Sequence, residues 1–332
     1  MASHASRVRD GAAAGPDIGR HAHTPRQIPA RGWKQVLGRV RRSIAENRLG
    51  LIAAGVAFYS LLAVFPGIAA LISVYGLVSD PHQIREQFST LQDVIPADAY
   101  ALLSRQMQDV ASRSDGALGV GLIGAILLAM WSATRSTTSL ITALNIVYKE
   151  RERRSFLHLK ALSYGLTVFL VLLAVVAISL IVALPVVLGY LGLGSIAETL
   201  VNWLRWPVLG VLVLFFLAVV YRFGPCRQQA RWHWVSWGSV GAVALWLLVS
   251  ALFSLYVSNF GNFNATYGTV GAVIVLLMWL FLTAFVLILG GSVNAEMELQ
   301  TEHDTTTGRA KPRGKRGAWV ADHLPDDNRS AR

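Results

Sequence analysis

Charge is what this sequence lacks most. Asp, Glu, Lys and Arg make up 15% of its 332 residues, against about 25% in an average soluble domain. From Trp234 to Ala295 no Asp, Glu, Lys, Arg or His occurs at all. A soluble fold cannot hide so long a Leu-, Val-, Ala- and Trp-rich ribbon. A bilayer-spanning helix takes about 20 apolar residues. The ribbon therefore reads as two spans, divided by the polar turn from Ser258 to Asn264. Cysteine is nearly absent. Cys226 stands alone, which excludes an intrachain disulfide framework and a Cys-based metal centre. The 8 histidines are scattered through tails and loops, with no His-Glu-x-x-His pair. There is no Gly-rich phosphate loop, nucleophile elbow or spaced carboxylate cluster. No catalytic, cofactor-binding or metal-ligating residue is assigned, and no cofactor is expected. A ribonuclease needs acid–base or metal groups beside a basic groove, and the intervening loops are too short to build one. The first 48 residues hold no apolar run, so no cleavable signal peptide is expected.

What is present is apolar: 54% of the chain. Windows poor in charge place spans at about residues 50–78, 118–147, 162–188, 207–222, 235–257 and 269–293. All must be helices, because lipid offers backbone groups no partner and the alternation of barrel strands is missing. The expected fold is an all-α polytopic membrane protein, a six-transmembrane-helix bundle with amphipathic interfacial helices. Lys and Arg number 25 in the two termini and the second and fourth loops, against 4 in the alternate loops. Arg135 alone falls within a span. Six helices with both termini in the cytoplasm put every basic segment inside. The net charge of +11 is therefore a topogenic signal. The implied partners are membrane lipids, and no nucleic acid is expected. Residues 33–300 form the membrane domain. Residues 1–32 and 301–332 lack periodicity and read as disordered cytoplasmic tails. Trp33, Val36, Leu37, Val40 and Ile44 follow helical spacing with Lys34, Arg39, Arg41 and Arg42 between them, as in a helix lying on an anionic leaflet. In the first outer loop, Ile84, Phe88 and Leu91, then Leu103, Met107 and Val110, suggest a helical hairpin. Trp203, Trp206, Trp232, Trp234 and Trp237 cluster at span ends like an interfacial belt. No internal repeat relates the first three spans to the last three.

Arg135 is the most informative single residue. A charge inside a span costs at least about 2.5 kcal/mol. It must snorkel, pair or line water. It falls in the cytoplasmic half of its span, at a depth similar to Asn294 and Glu296 near the end of the last span. Two readings follow: a structural clamp onto those groups, or an anion or headgroup site. Pro66 removes a backbone hydrogen bond and kinks the first span, with Tyr59 and Ser60 near the gap. Asn259, Asn262, Asn264, Gly261, Gly268 and Gly271 punctuate the last outer turn, as turn chemistry favours.

Three motifs occur in order. The first span reads Ala54-Gly55-Val56-Ala57-Phe58-Tyr59-Ser60-Leu61-Leu62-Ala63-Val64-Phe65-Pro66. The second ends Trp131-Ser132-Ala133-Thr134-Arg135-Ser136, then Ala143-Leu144-Asn145-Ile146-Val147-Tyr148. The last opens Ala265-Thr266-Tyr267-Gly268-Thr269-Val270-Gly271-Ala272 and closes Gly290-Gly291-Ser292-Val293-Asn294-Ala295-Glu296. Together they resemble the YihY/virulence factor BrkB family of bacterial inner-membrane proteins, over roughly residues 33–300. That family usually has Asn-Tyr-Gly where this chain has Thr266-Tyr267-Gly268, and an acidic residue near the last Asn where it has Ser292-Val293. The resemblance implies a six-helix fold in the bacterial cytoplasmic (inner) membrane. Asn145, Tyr267, Gly268, Asn294 and Glu296 then join Arg135 and Pro66 as candidate intramembrane residues. Members have carried a ribonuclease label, and some look like exporters of lipids or envelope components. The expectation is a transport-related protein, not an enzyme, whose substrate is an anionic lipid or envelope precursor. The alternative is a non-transporting envelope scaffold or stability factor; a ribonuclease comes third. No oligomeric state is implied.

Reporter fusions check the topology. Fusions after Asp115, Ser195 and Asn262 should report the periplasm, and fusions after Ser155, Gln228 and Thr305 the cytoplasm. A cytoplasmic signal at Ser195 would remove the third span.

Overall fold

Long apolar segments have one way to satisfy their backbone in hydrocarbon, which is to bond i to i−4 within a helix. The computed structural model describes residues 18–78, 115–183, 195–260 and 269–325, and they follow this rule. Helix α1 is Ala30–Glu46, α2 is Leu49–Val78 and α3 is Asp115–Val147. Helix α4, Phe156–Ile178, continues into a π-helical turn, Ser179–Ala183. Helices α5 (Ser195–Phe223), α6 (Trp232–Phe260) and α7 (Thr269–Glu298) follow, then a short α8 (Trp319–Asp322). Among the described residues no strand forms; an isolated bridge joins Ala230 to Thr306. The chain is thus an all-α polytopic membrane protein. Among the described residues five helices are long and apolar enough to cross a bilayer: α2, α4, α5, α6 and α7. Helix α3 is 33 residues long and packs between α2 and α4.

The packing follows chain order. Helix α3 lies against α2 and α4, α4 against α5, α5 against α6, and α6 against α7. Helix α7 then closes the ring on α2 and also reaches α3 and α1. The main core sits at the end where α3 and α5 finish and α2 and α6 begin. It joins Leu49, Leu144, Tyr148, Leu217, Tyr221 and Ile288. That end carries the basic loops and the tail segments 18–28 and 299–325, and is called the basic end below. Towards the other end Leu127, Leu204, Leu252 and Leu255 are exposed. Exposed leucine is at no disadvantage in lipid, so small residues and hydrogen bonds set the helix contacts instead. Gly290 lets α7 approach the Tyr221 hydroxyl and Ala242, and that hydroxyl donates to the Leu287 carbonyl at 2.7 Å.

Several boundaries differ from the sequence expectation. The fourth span, placed at 207–222, is the end of a helix that begins at Ser195 and runs through Pro207. Proline is tolerated inside membrane helices. Helix α4 starts at Phe156, capped by the Ser155 hydroxyl, which accepts from the His158 amide. Helix α7 extends past 293 to Glu298, because its polar last turn finds partners. Helix α1 does not lay its whole apolar face on lipid. Val36 and Val40 are buried with Ala22, Ile28, Trp234 and Met297, which also removes Trp234 from the interfacial belt. Leu37 remains exposed. The tails are not featureless either. Residues 18–28 and 299–325 dock on each other and on the loops. Gln300 donates to the Ile18 carbonyl at 2.7 Å and Thr301 to the Ala22 carbonyl at 2.7 Å. The Gln228 amide donates to Gly317 at 2.8 Å and the Thr307 amide to Gln229 at 2.9 Å. Arg316 is buried and donates to the Ala321 and Glu302 carbonyls. Such tertiary pairing leaves no periodic trace in sequence. The expected hairpin in the first outer loop lies outside the described residues.

Two glycines of α6 test the packing. A Cβ on Gly238 would collide with the Asn294 side chain, whereas Gly241 faces open space. Gly238→Ala should cost about 1–3 kcal/mol, the usual range for overpacking. Gly241→Ala should leave the thermal unfolding midpoint in detergent unchanged or slightly raised.

Candidate functional site

The last turn of α7 places Asn294, Glu296 and Glu298 at a helix C-terminus. There the macrodipole disfavours anions, so each group must be held by something else. Asn294 is fully buried. Its carbonyl oxygen accepts from the Gly238 amide at 2.8 Å and its amide donates to the Val235 carbonyl at 3.2 Å. That ties α7 to α6. Glu296 accepts from Arg39 Nε at 2.5 Å. The same guanidinium donates to the Glu296 carbonyl at 2.9 Å and to Gln300 at 2.8 Å. That ties α7 to α1. Glu298 forms a two-pronged pair with Arg227, at 3.1 and 2.7 Å. The two side chains are 0% and 2% exposed. Thr305 donates to the same carboxylate at 2.7 Å, and the Arg227 guanidinium lies 5.0 Å from the Tyr148 ring centroid.

Asn145, on the last turn of α3, joins two loops. It donates to Glu152 at 2.9 Å and accepts from the Cys226 amide at 2.7 Å. Glu152 is also held by Arg154 Nε at 2.8 Å. Burial raises its pKa, but the bonds from Arg154 and Asn145 outweigh that and hold the carboxyl at about 2. Glu150 goes the other way: burial raises its pKa against the opposing bond from the Trp319 amide. Arg154 reaches on to the Gly224 carbonyl at 2.8 Å. These contacts form one polar clamp across the basic end.

A hydroxyl seam runs along α3 inside the bundle. Ser136 pairs with Ser60 of α2 at 2.7 Å. Thr137 pairs with Thr167 of α4 at 2.8 Å, and Thr138 donates to Ser163 at 3.1 Å. The seam fixes depth. Ser60 and Thr167 each lie about 16 Å along their helices from Leu49 and Phe156, at ~1.5 Å per residue. The exposed apolar surface starts near those residues, at Leu51, Phe156 and Leu157. Hydrocarbon is about 30 Å thick, so this level is near the bilayer midplane.

Arg135 sits at that level, deeper than the sequence suggested, and on the opposite face. Ser132 and Thr134 are buried, while Leu127, Trp131 and Arg135 line the exposed strip of α3. The guanidinium carbon lies 5.5 Å from the Trp131 ring centroid. Among the described residues no carboxylate is paired with it. The expected clamp from Arg135 to Asn294 or Glu296 is therefore not formed; Asn294 is engaged by α6 and Glu296 by Arg39. Pro66 is half-buried inside α2, which continues through it. Ser60 turns to Ser136 rather than to a proline gap. Tyr267 and Gly268 lie outside the described residues. Sequence reasoning missed Arg39, Arg227 and Glu298. The available signal was a run of carboxylates at a helix C-terminus, which requires cationic partners. Among the described residues no three His, Cys, Asp or Glu stand together as a metal site.

A family model described as virulence factor BrkB matches residues 40–315. A ribonuclease-like protein, YfkH, of Bacillus subtilis is 31% identical over 252 residues, covering 73% of this chain and 88% of its own length. A UPF0761 membrane protein of Tolumonas auensis is 23% identical over 288 residues, covering 82% and 88%. Another, of Idiomarina loihiensis, is 24% identical over 186 residues, covering 55% and 61%. No solved structure matches.

The buried pair is testable by substitution. Arg227→Leu leaves Glu298 charged and buried, which typically costs about 3–5 kcal/mol. Arg227→Met combined with Glu298→Leu should recover most of that. Thermal unfolding of the three proteins in detergent measures both effects.

Proposed function

The chain belongs to the virulence factor BrkB family, and from that premise we propose that it moves an anionic lipid or envelope precursor across the bacterial inner membrane. The observation that carries this reading is Arg135. Holding a guanidinium at the centre of a span costs about 2.5–3.5 kcal/mol on insertion scales. The charge is on the exposed strip of α3, and its described protein contact is the Trp131 ring. A phosphate or carboxylate headgroup passing along that strip would neutralise it, and a planar guanidinium suits such groups. The hydroxyls of the seam cannot stand in for a counter-ion. Thr134, Thr137 and Thr138 donate back to their own helix or to α4.

In this reading α3 is a sixth span and the basic end faces the cytoplasm, with both termini there. The family is one of membrane proteins, and we take this member as a non-enzyme. The ribonuclease-like name belongs to YfkH. Here the carboxylates Glu152, Glu296 and Glu298 are each engaged by an arginine, which removes them from acid–base work. The second reading is an envelope scaffold without transport. The clamp that knits both termini to the loops favours it, since a scaffold needs a rigid end.

Reconstitution separates the two. Proteoliposomes should accelerate transbilayer movement of labelled phosphatidylglycerol. Arg135→Leu should slow it about tenfold, a barrier change of roughly 1.4 kcal/mol, with the unfolding midpoint unchanged. Arg135→Lys should fall between, because a point charge replaces a fork. Equal rates for wild type and Arg135→Leu would sink the transport reading. No lipid movement at all, with a stable protein, would favour the scaffold.

A further inference from the structure

The N-terminal segment 18–28 lies on the basic end and is held mainly by groups outside its own sequence. Gln300, Thr301 and the Glu302 amide donate to its carbonyls at Ile18, Ala22 and Arg20. Ala22 and Ile28 enter the cluster with Val36, Val40, Trp234 and Met297. Gly32 of α1 packs against the Ile18 carbonyl so closely that a Cβ there would collide. The position of α1 therefore depends on this segment staying in place.

Three histidine rings gather where the segment crosses. The rings of His23 and His303 stack in parallel, with centroids 3.7 Å apart and planes 25° from each other. His303 also lies beside the backbone of His21. His233, at the start of α6, lies beside the backbone of His23. The two rings thus sit against alternate residues of the turn that leads into the 3-10 helical Pro25–Gln27.

We propose that His23, His233 and His303 form a pH-sensitive latch that holds segment 18–28, and through it α1, against the ends of α6 and α7. Two neutral imidazoles stack favourably. Two imidazolium rings in van der Waals contact repel each other. The surroundings add to this. Arg20, His21 and Arg26 lie on the segment itself, and Arg231 precedes α6. Of the nearby carboxylates, Glu298 is already held by Arg227 and Thr305. Asp304 accepts from Thr306 and from the Lys311 amide, and Glu302 follows Thr301 on the C-terminal strap, residues 299–325. Burial lowers the pKa of His303, and the charges on His23 and His21 lower it further. The sign is then fixed. A histidine with a depressed folded pKa stabilises the docked state above its ordinary pKa near 6.5, and that stability is lost as pH falls below it. Release would expose Ala22 and Ile28 and loosen the Arg39–Glu296 clamp. The latch is independent of what the protein transports.

Hydrogen–deuterium exchange of the full chain in detergent tests it, with rates corrected for intrinsic exchange at each pH. Peptides covering residues 18–28 are compared with peptides from α3 and α7 at pH 8 and pH 5.5, which bracket the ordinary histidine pKa. Protection of 18–28 should fall several-fold in acid, as the lowered His303 pKa requires, while the α3 and α7 peptides hold. His23→Gln and His303→Gln together should make the protection of 18–28 nearly independent of pH. Should that double variant fail to dock at either pH, the single His23→Gln decides: it removes the paired charge and must weaken the acid response. Equal wild-type protection at both pH values overturns the latch. So does a full acid response in the docked double variant, or in His23→Gln.

Discussion

Hydrocarbon supplies neither hydrogen bonds nor counter-ions, and the rest of this structure follows from that one constraint. Most described hydroxyls within the bundle are answered locally, the buried Ser292 and Tyr148 hydroxyls excepted. The threonines of α3 return to carbonyls one turn back or meet a hydroxyl on α2 or α4. Tyr221 reaches across to the α7 backbone, and Trp246 donates to Thr283 at 3.1 Å. Most of the described charge gathers at the basic end, where the loops and tails can serve it. Arg135 lies well inside a span, and among the described residues no carboxylate of the protein pairs with it.

The C-terminus of α7 is the hub of the basic end. Three polar residues on one turn each recruit a different element: α6 through Asn294, α1 through Glu296, and the 224–231 loop with the C-terminal strap through Glu298. None of these attachments is apolar in origin, yet all are buried. A buried pair is weak evidence for added stability but strong evidence for a unique arrangement, because a wrong pairing would leave a charge unanswered. The clamp therefore fixes how the six long helices converge.

Much of this was legible in the sequence, for a physical reason. Membrane insertion reads average hydropathy, so charge-free runs mark the spans directly. Their ends are harder. Helix α5 begins well before Pro207, and α7 continues through Asn294 to Glu298, because polar residues extend a helix once tertiary partners exist. The tails were read as disordered since Thr301, Thr305 and Arg316 contribute through hydrogen bonds, which have no period. Arg135 stood out as an intramembrane charge, but its azimuth did not. Counting i, i+4 from Leu127 through Trp131 to Arg135 would have put it on the lipid side, away from Asn294 and Glu296. Asn145 was singled out by resemblance, and its role in joining two loops emerges only from the fold.

The central claim is that Arg135 faces lipid near the midplane and takes an anionic headgroup there. A structure of the protein in nanodiscs containing anionic phospholipid tests it most directly. The account predicts headgroup density within hydrogen-bonding distance of the Arg135 guanidinium, drawn inward from the interface. A guanidinium paired with a carboxylate of the protein, with only acyl chains along that strip of α3, would contradict it.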